Sequence, residues 1–320
     1  MKLAIIGLGH VAQYQLEAIN QIKEIDLVAA HDIDSTRSQI LPSGVLFFDE
    51  PESLISHSDI DLILVSTSNK THYSLGKKVL QNKMPLLLEK PCCDSIEQMN
   101  ELVDLAHQNN KLFMVAFHAA YGRDVLWYED FLLKSGFNPG PITGFHAGFF
   151  DPYYENGHIV SSAKSLGGSW FDSGINALSV IGKFIELDKL HVVEGRMTRV
   201  SSLPCSEIQG AASFEFESDK HRGYGIIETN WSLGLNQKIT QLQYALTDTQ
   251  VILDHTNEKV TIKQGEKILK EEHLQTHFSR LTNHYINLFS DIVDMFNSDN
   301  TNLSYAVSLH QLLFEAMIKT

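Results

Sequence analysis

Cysteine is nearly absent from the chain: its 320 residues hold three, Cys92, Cys93 and Cys205, and two of these are adjacent. Neither a disulfide framework nor a Cys-x-x-Cys metal spacing can be built from them, so a reducing, cytoplasmic location is expected. No apolar run is long enough to cross a bilayer. The opening stretch Met1–Gln13 is interrupted by glycines and no small-residue cleavage site follows it, so it reads as a strand rather than a signal peptide. Basic residues are also in short supply, 25 Lys plus Arg against 39 Asp plus Glu, for a formal charge of −14. Such acidity repels phosphate backbones and anionic lipid, which leaves nucleic acid and membrane out of the expected partners. The histidines His72, His146 and His158 show no metal-ligand spacing and two neighbouring cysteines cannot chelate one ion, so no metal is expected.

What is present is a 43% hydrophobic composition, enough for two cores, and the length suggests about two domains. Up to about residue 120, the apolar runs Leu3–Ile6, Leu27–His31, Leu62–Ser66, Leu86–Glu89 and Leu112–Phe117 alternate with segments of helical period. That alternation predicts βαβ units and a parallel sheet, and runs without polar alternation predict helices on both faces. Farther on, longer alternating segments (His191–Val200, Ala211–Glu217, Tyr224–Trp231, Ile239–Thr247) predict an open, mostly antiparallel sheet. Helical period returns from Phe278 to Ala316, with a break at Asn297–Thr301. The expected architecture is therefore α/β, with a parallel-sheet domain over 1–120 and an α+β domain over 121–320.

The segment Ile5–Ala12 is a G-x-G-x-x-A fingerprint between the first strand and the first helix. Gly7 permits the tight turn, Gly9 lets backbone approach a pyrophosphate, and Ala12 allows close helix-to-strand packing, so a Rossmann dinucleotide site is predicted. The helix N-terminus adds unpaired N–H groups and a favourable dipole for phosphate. Twenty residues past Ala12, Asp32 ends the second expected strand, where a carboxylate accepts from ribose hydroxyls and repels a 2′-phosphate. NAD is the expected cofactor, with NADP as the alternative because Arg37 stands nearby. Gly7, Gly9, His10, Val11 and Asp32 are thus candidate cofactor-binding residues.

Downstream lie Thr67-Ser68-Asn69-Lys70-Thr71-His72, Glu89-Lys90-Pro91 and Gly167-Gly168-Ser169-Trp170-Phe171-Asp172-Ser173-Gly174-Ile175-Asn176. With the fingerprint, these resemble the T-P-N-x-x-H, E-K-P and G-G-x-x-x-D-x-G-x-H segments of the glucose–fructose oxidoreductase, inositol dehydrogenase and rhizopine catabolism (Gfo/Idh/MocA) family. The resemblance implies a Rossmann domain followed by a substrate domain whose sheet serves as a homodimer or homotetramer interface. It places Thr67, Asn69, His72, Glu89 and Lys90 around the cofactor, sends Lys90 to the substrate on a Lys-Pro peptide that is often cis, and sets His118 at a substrate-facing position. Arg123 and Trp170 complete the candidate substrate contacts, Tyr153 and Tyr154 offering a further stacking wall. Two departures stand out: Asn176 replaces the family's histidine, and Phe145–Pro152 replaces a pocket-shaping segment. Within the family, the run Phe171–Leu178 and the segment Arg280–Tyr285 resemble the aldose 1-dehydrogenases, which oxidise galactose and arabinose.

Asp172 and Asn176 are four apart, so a helix would project both from one face. Asn cannot shuttle protons near neutrality. Lys90 would then stabilise a developing alkoxide, Asp172 would accept the proton directly or through Lys90, and Asn176 would orient the hydroxyl. The expected reaction moves hydride from an aldose C1–OH to NAD(P), giving a lactone. A family member acting on another sugar, an inositol or a dihydrodiol is the alternative, as is a non-catalytic dinucleotide-dependent sensor.

Overall fold

The computed structural model describes residues 1–200, 207–218, 221–244 and 247–319. Cys205 and positions 245 and 246 of the expected fourth long strand lie outside the described residues. In chain order the elements are β1 (Lys2–Ile6), α1 (Ala12–Ile19), β2 (Asp26–His31), β3 (Leu46–Phe48), α2 (Pro51–Ile55), β4 (Leu62–Val65), α3 (Asn69–Gln81), β5 (Leu86–Glu89), α4 (Ile96–Asn109), β6 (Phe113–Ala116) and α5 (Arg123–Lys134). There follow β7 (Gly144–Phe150), the short pair β8 (Tyr154–Glu155) and β9 (His158–Ile159), α6 (Ile175–Ile181), β10 (Leu190–Thr198), β11 (Gln209–Ser218), β12 (His221–Asn230), β13 (Gln237–Tyr244), β14 (Thr249–Asp254), β15 (Lys259–Gln264), β16 (Lys267–His273), α7 (Arg280–Asn297) and α8 (Leu303–Ile318). They form two compact units, one of Met1–His118 with Leu281–Val307, the other of Ala119–Arg280 with Ser308–Thr320.

The first unit is built on a parallel sheet ordered β3-β2-β1-β4-β5-β6. Every residue of β4, β5 and β6 is buried, as expected for strands covered on both faces. The order reverses direction between β1 and β4, and the crevice outside the carboxyl ends of strands at such a switch is where α/β sheets take ligands. Strand β3, three residues long and half-exposed, is a sheet edge too short to leave a periodic signal. The segment 281–307 is stitched on by side chains. Asn302 accepts from Val115 N–H at 2.9 Å and donates to Val115 C=O at 2.8 Å, so its amide satisfies the β6 edge as a further strand would.

The second unit carries an eight-stranded sheet ordered β10-β11-β12-β7-β13-β14-β15-β16. Each pairing is antiparallel except β12 with β7. Burial alternates along β11, β13 and β14, the mark of a sheet packed on one face. Helix α6 packs against β7 and β13, and α5 against β14 and β15. At the β10 edge Gly195 N–H donates to Lys319 C=O at 2.7 Å, and the Lys319 ammonium donates to Val192 C=O at 2.7 Å. A Cβ on Gly195 would lie 1.8 Å from the Ala316 carbonyl oxygen, so this close approach needs glycine. Among the described residues no helix is long and apolar enough to cross a membrane.

Candidate functional site

In the first unit the turn after β1 has the geometry that a pyrophosphate cradle requires. Gly7 has φ +103°, and a Cβ there would meet Ser66 O at 2.4 Å and Thr67 N at 2.8 Å. Glycine is therefore demanded by both backbone conformation and the proximity of the β4–α3 turn. At Gly9 nothing lies within 4 Å of the Cβ position, so its backbone is open to a ligand. These two glycines should part company on mutation. Gly7→Ala is expected to cost about 1–3 kcal/mol of stability through strain, together with dinucleotide binding. Gly9→Ala is expected to keep the melting temperature and weaken dinucleotide binding at least tenfold, as read by fluorescence titration.

Asp32 follows β2, and its Oδ2 accepts from Leu8 N–H at 2.6 Å while Oδ1 accepts from Asp34 N–H at 2.8 Å. The carboxylate thus ties the glycine turn to the end of β2, and each oxygen keeps a second lone pair for a ribose hydroxyl. Arg37 points to Asp34, Nε to Oδ2 3.7 Å. His10 is exposed with its ring edge-on to Tyr14, and Val11 precedes α1 and accepts from Tyr14 N–H and Gln15 N–H.

The second and third motifs of this unit are joined by one buried imidazole. His72 Nδ1 is 2.8 Å from Pro91 O and its Nε2 is 3.0 Å from Thr67 O. Burial lowers its pKa and nearby Lys90 works in the same direction, while the contacts to the Pro91 and Thr67 carbonyls oppose them. His72 is thereby a clamp between the Thr67–Asn69 turn and the cis Lys90–Pro91 peptide. Asn69 opens α3 and is buried, and Thr67 Oγ1 accepts from Thr71 at 2.8 Å.

Glu89 closes β5 in full burial, with Oε1 accepting from Gln15 Nε2 at 2.9 Å and from Tyr285 OH at 2.7 Å. Burial pushes its carboxyl up to about 7, against the opposing pull of Tyr285 and Lys90. Lys90 is buried beside it. Desolvation likewise lifts the Cys93 thiol to about 12 and Cys92 well above the usual thiol range, so neither is a nucleophile. His118 ends the unit's first segment, with Nδ1 3.3 Å from His284 Nδ1 and its ring against Tyr285.

In the second unit the Gly167–Asn176 motif forms a helix whose first turn, Trp170–Gly174, is π-helical and which continues as α6. A π turn carries one more residue than an α turn and is a frequent mark of functional positions. Asp172 lies inside this turn rather than capping it, and both Asp172 and Asn176 are buried. Asn176 Oδ1 is buried and has no hydrogen-bond partner among the described residues. An orphaned acceptor of this kind costs about 1–3 kcal/mol unless a ligand donates to it.

Polar residues that the motifs did not signal surround the turn. Ser173 donates to Asp151 Oδ2 at 3.0 Å, and Asp151 Oδ1 accepts from Lys238 at 2.6 Å. The Glu207 carboxylate accepts from Phe171 N–H at 3.0 Å. A separate buried chain runs from Asp124 through His255 to Thr240, at 2.5 and 2.8 Å. Arg123 opens α5, and its Nε is buried without a partner among the described residues. Trp170 departs from the expected stacking wall: it is fully buried, and its indole N–H donates to Leu313 C=O at 3.1 Å, so no ring face is open to a sugar. Tyr153 and Tyr154 pack against a small cluster around Trp231. Among the described residues no group of three His, Cys, Asp or Glu side chains could hold a metal ion.

Residues 1–117 match the family model described as "Oxidoreductase family, NAD-binding Rossmann fold". Over 108 residues the chain is 23% identical to the rhizopine catabolism protein MocA of Rhizobium meliloti, covering 33% of this chain and 34% of that protein. Over 123 residues it is 26% identical to an inositol 2-dehydrogenase of Rubrobacter xylanophilus, covering 37% and 35%. The matched region spans about a third of the length of these curated relatives. In fold, the whole chain superposes on an oxidoreductase from Agrobacterium radiobacter solved with NAD+, L-tartaric acid and magnesium, with TM-score 0.81 at 16% identity, covering 100% of this chain and 96% of that one.

Proposed function

We propose that the chain, whose residues 1–117 match the NAD-binding Rossmann model of the Gfo/Idh/MocA oxidoreductases, oxidises a carbinol of a sugar or polyol. NAD, when bound, supplies the hydride acceptor. The preferred substrate is an aldose, oxidised at its anomeric carbon to a lactone. The observation that carries the reading is the π turn of the second unit, which sets the carboxylate of Asp172 and the partnerless carboxamide oxygen of Asn176 within one buried stretch of helix.

Each residue's part follows from its chemistry. Gly7 and Gly9 leave backbone N–H groups for the pyrophosphate, and Asp32 accepts from the ribose hydroxyls. An ammonium at Lys90 stabilises negative charge as the substrate oxygen loses its proton. Asp172 takes that proton, directly or through Lys90, and Asn176 Oδ1 accepts from a substrate hydroxyl and orients it. Asn176 cannot itself carry a proton, so the acid–base work rests on the other two. His118 and Arg123 are the remaining candidate substrate contacts.

The two named relatives are a rhizopine catabolism protein and an inositol 2-dehydrogenase, so the panel that tests the reading is broad. Purified protein is supplied with NAD and with NADP against aldoses, inositols, glycosides and diols, following the absorbance of reduced nicotinamide. Turnover on an aldose is the expected result, with NAD preferred at least tenfold over NADP because Asp32 repels a 2′-phosphate. Turnover on an inositol or glycoside alone would move the substrate within the family's range. Tight dinucleotide binding without turnover on any carbinol would favour a sensor instead.

A further inference from the structure

The second unit holds a buried ammonium that none of the motifs includes. Lys238 stands on β13, and its Nζ donates to Asp151 Oδ1 at 2.6 Å, Asn236 Oδ1 at 3.0 Å and Phe150 O at 3.3 Å. The ion pair it makes with Asp151 is almost wholly out of solvent, each side chain about a tenth exposed. Asp151 follows β7 immediately, inside the segment that departs from the family's pocket-shaping sequence. Its second oxygen accepts from Ser173 Oγ at 3.0 Å, and Ser173 is the residue next to Asp172 in the π turn.

A buried charge pair is costly to desolvate and is outdone in stability by apolar packing of the same volume, so retention of one calls for another reason. Here the pair links two neighbouring sheet strands to one turn of helix. All three ammonium donors are taken, which makes Lys238 a holder of protein groups rather than a ligand for substrate. We propose that Lys238 and Asp151 are positioning residues for Asp172: the ion pair, anchored on β7 and β13, locks the π turn that carries Asp172 through the hydrogen bond from Ser173. The inference rests on the oxidoreductase reading, since it concerns how the proposed base is held.

The charged groups around the ammonium are few. Asp151 and Asp172 attract it and Arg280 repels it, while burial pulls its pKa down from the ordinary lysine range. Arg280 in turn lies within electrostatic reach of Asp151, Asp124, Glu258 and Tyr153. Asp124 is paired to His255, and Asp151 is the carboxylate committed to Lys238.

The test uses the full chain, the substrate found on the carbinol panel, and the variants Lys238→Met, Lys238→Arg and Ser173→Ala. Lys238→Met is expected to lower kcat at least tenfold, with dinucleotide affinity and the substrate KM unchanged. Lys238→Arg should restore most of kcat, because a charged donor to Asp151 returns. Ser173→Ala, which keeps the ion pair and changes one hydroxyl, should reduce kcat severalfold with KM unchanged. Should Lys238→Met not fold, the kcat of Ser173→Ala decides: wild-type kcat there overturns the tether. Wild-type kcat in a folded Lys238→Met overturns the positioning role. Absence of turnover in the wild-type protein on any carbinol sinks the underlying reading, an outcome separate from both.

Discussion

Replacing Lys90 by Met is expected to reduce kcat by at least a thousandfold while dinucleotide binding stays within a factor of about three. The size follows from the role: a preorganised cation at a developing alkoxide is worth a factor of about 10²–10³, and loss of its relay of the substrate proton adds to that. The dinucleotide contacts survive because the glycine turn and Asp32 belong to β1, β2 and α1, and the clamp from His72 grips Pro91 and Thr67 through carbonyls rather than through the ammonium. Fluorescence titration with NAD beside single-turnover rates of nicotinamide reduction separates the two effects. Wild-type rates in Lys90→Met would end the proposed mechanism.

The second large effect concerns Glu89, whose carboxyl is raised from 4.5 to about 7 by burial. In the pH range between those two values the folded protein binds a proton that the unfolded chain has lost. Stability therefore falls as pH rises through that window and levels off above about 7. A shift of this size corresponds to about 3 kcal/mol. Glu89→Gln keeps an acceptor for Tyr285 and Gln15 but cannot ionise, so the stability difference between variant and wild type should grow in the variant's favour by about 3 kcal/mol from pH 4.5 to pH 7.5. Urea denaturation followed at several pH values measures it. A pH-independent difference would mean that Glu89 titrates in the folded protein as it does in the unfolded chain.

Much of the first unit could be read from the residues, because its instructions are local. Strand runs without polar alternation, a glycine turn and an acid at a fixed distance each act within about thirty residues of chain, and β1, β2, β4, β5 and β6 fall within a residue or so of the expected runs. The second sheet was legible where alternation was long, in β10 to β13, and illegible in β7. That strand is rich in Gly and Phe and inserts between β12 and β13, partners more than 70 residues away, so nothing local announces it. The Leu281–Val307 segment reads as a helix from its period, but its place with the first unit depends on single side chains such as Asn302 against Val115 and Tyr285 against Glu89.

The candidate site divides along the same line. Motif residues were visible, whereas Asp151 and Lys238 are separated by 87 positions and carry no motif, so only the folded sheet brings them together. The π turn is a further case: spacing alone predicts Asp172 and Asn176 on an ordinary helix, and only the folded chain shows the wider turn. Trp170 was misleading for the opposite reason. An aromatic beside a glycine pair looks like a sugar platform in sequence, and in the structure its size is used to fill the core.

An eight-stranded open sheet has two rims, and this chain treats them differently. Along β10 the rim is seamed by Lys319, whose carbonyl and ammonium engage Gly195 and Val192. A foreign strand cannot zip onto an amide that is already occupied, so the seam doubles as protection against runaway polymerisation. Removing Lys319 would unpick that seam, and the cost would show first as turbidity on concentration.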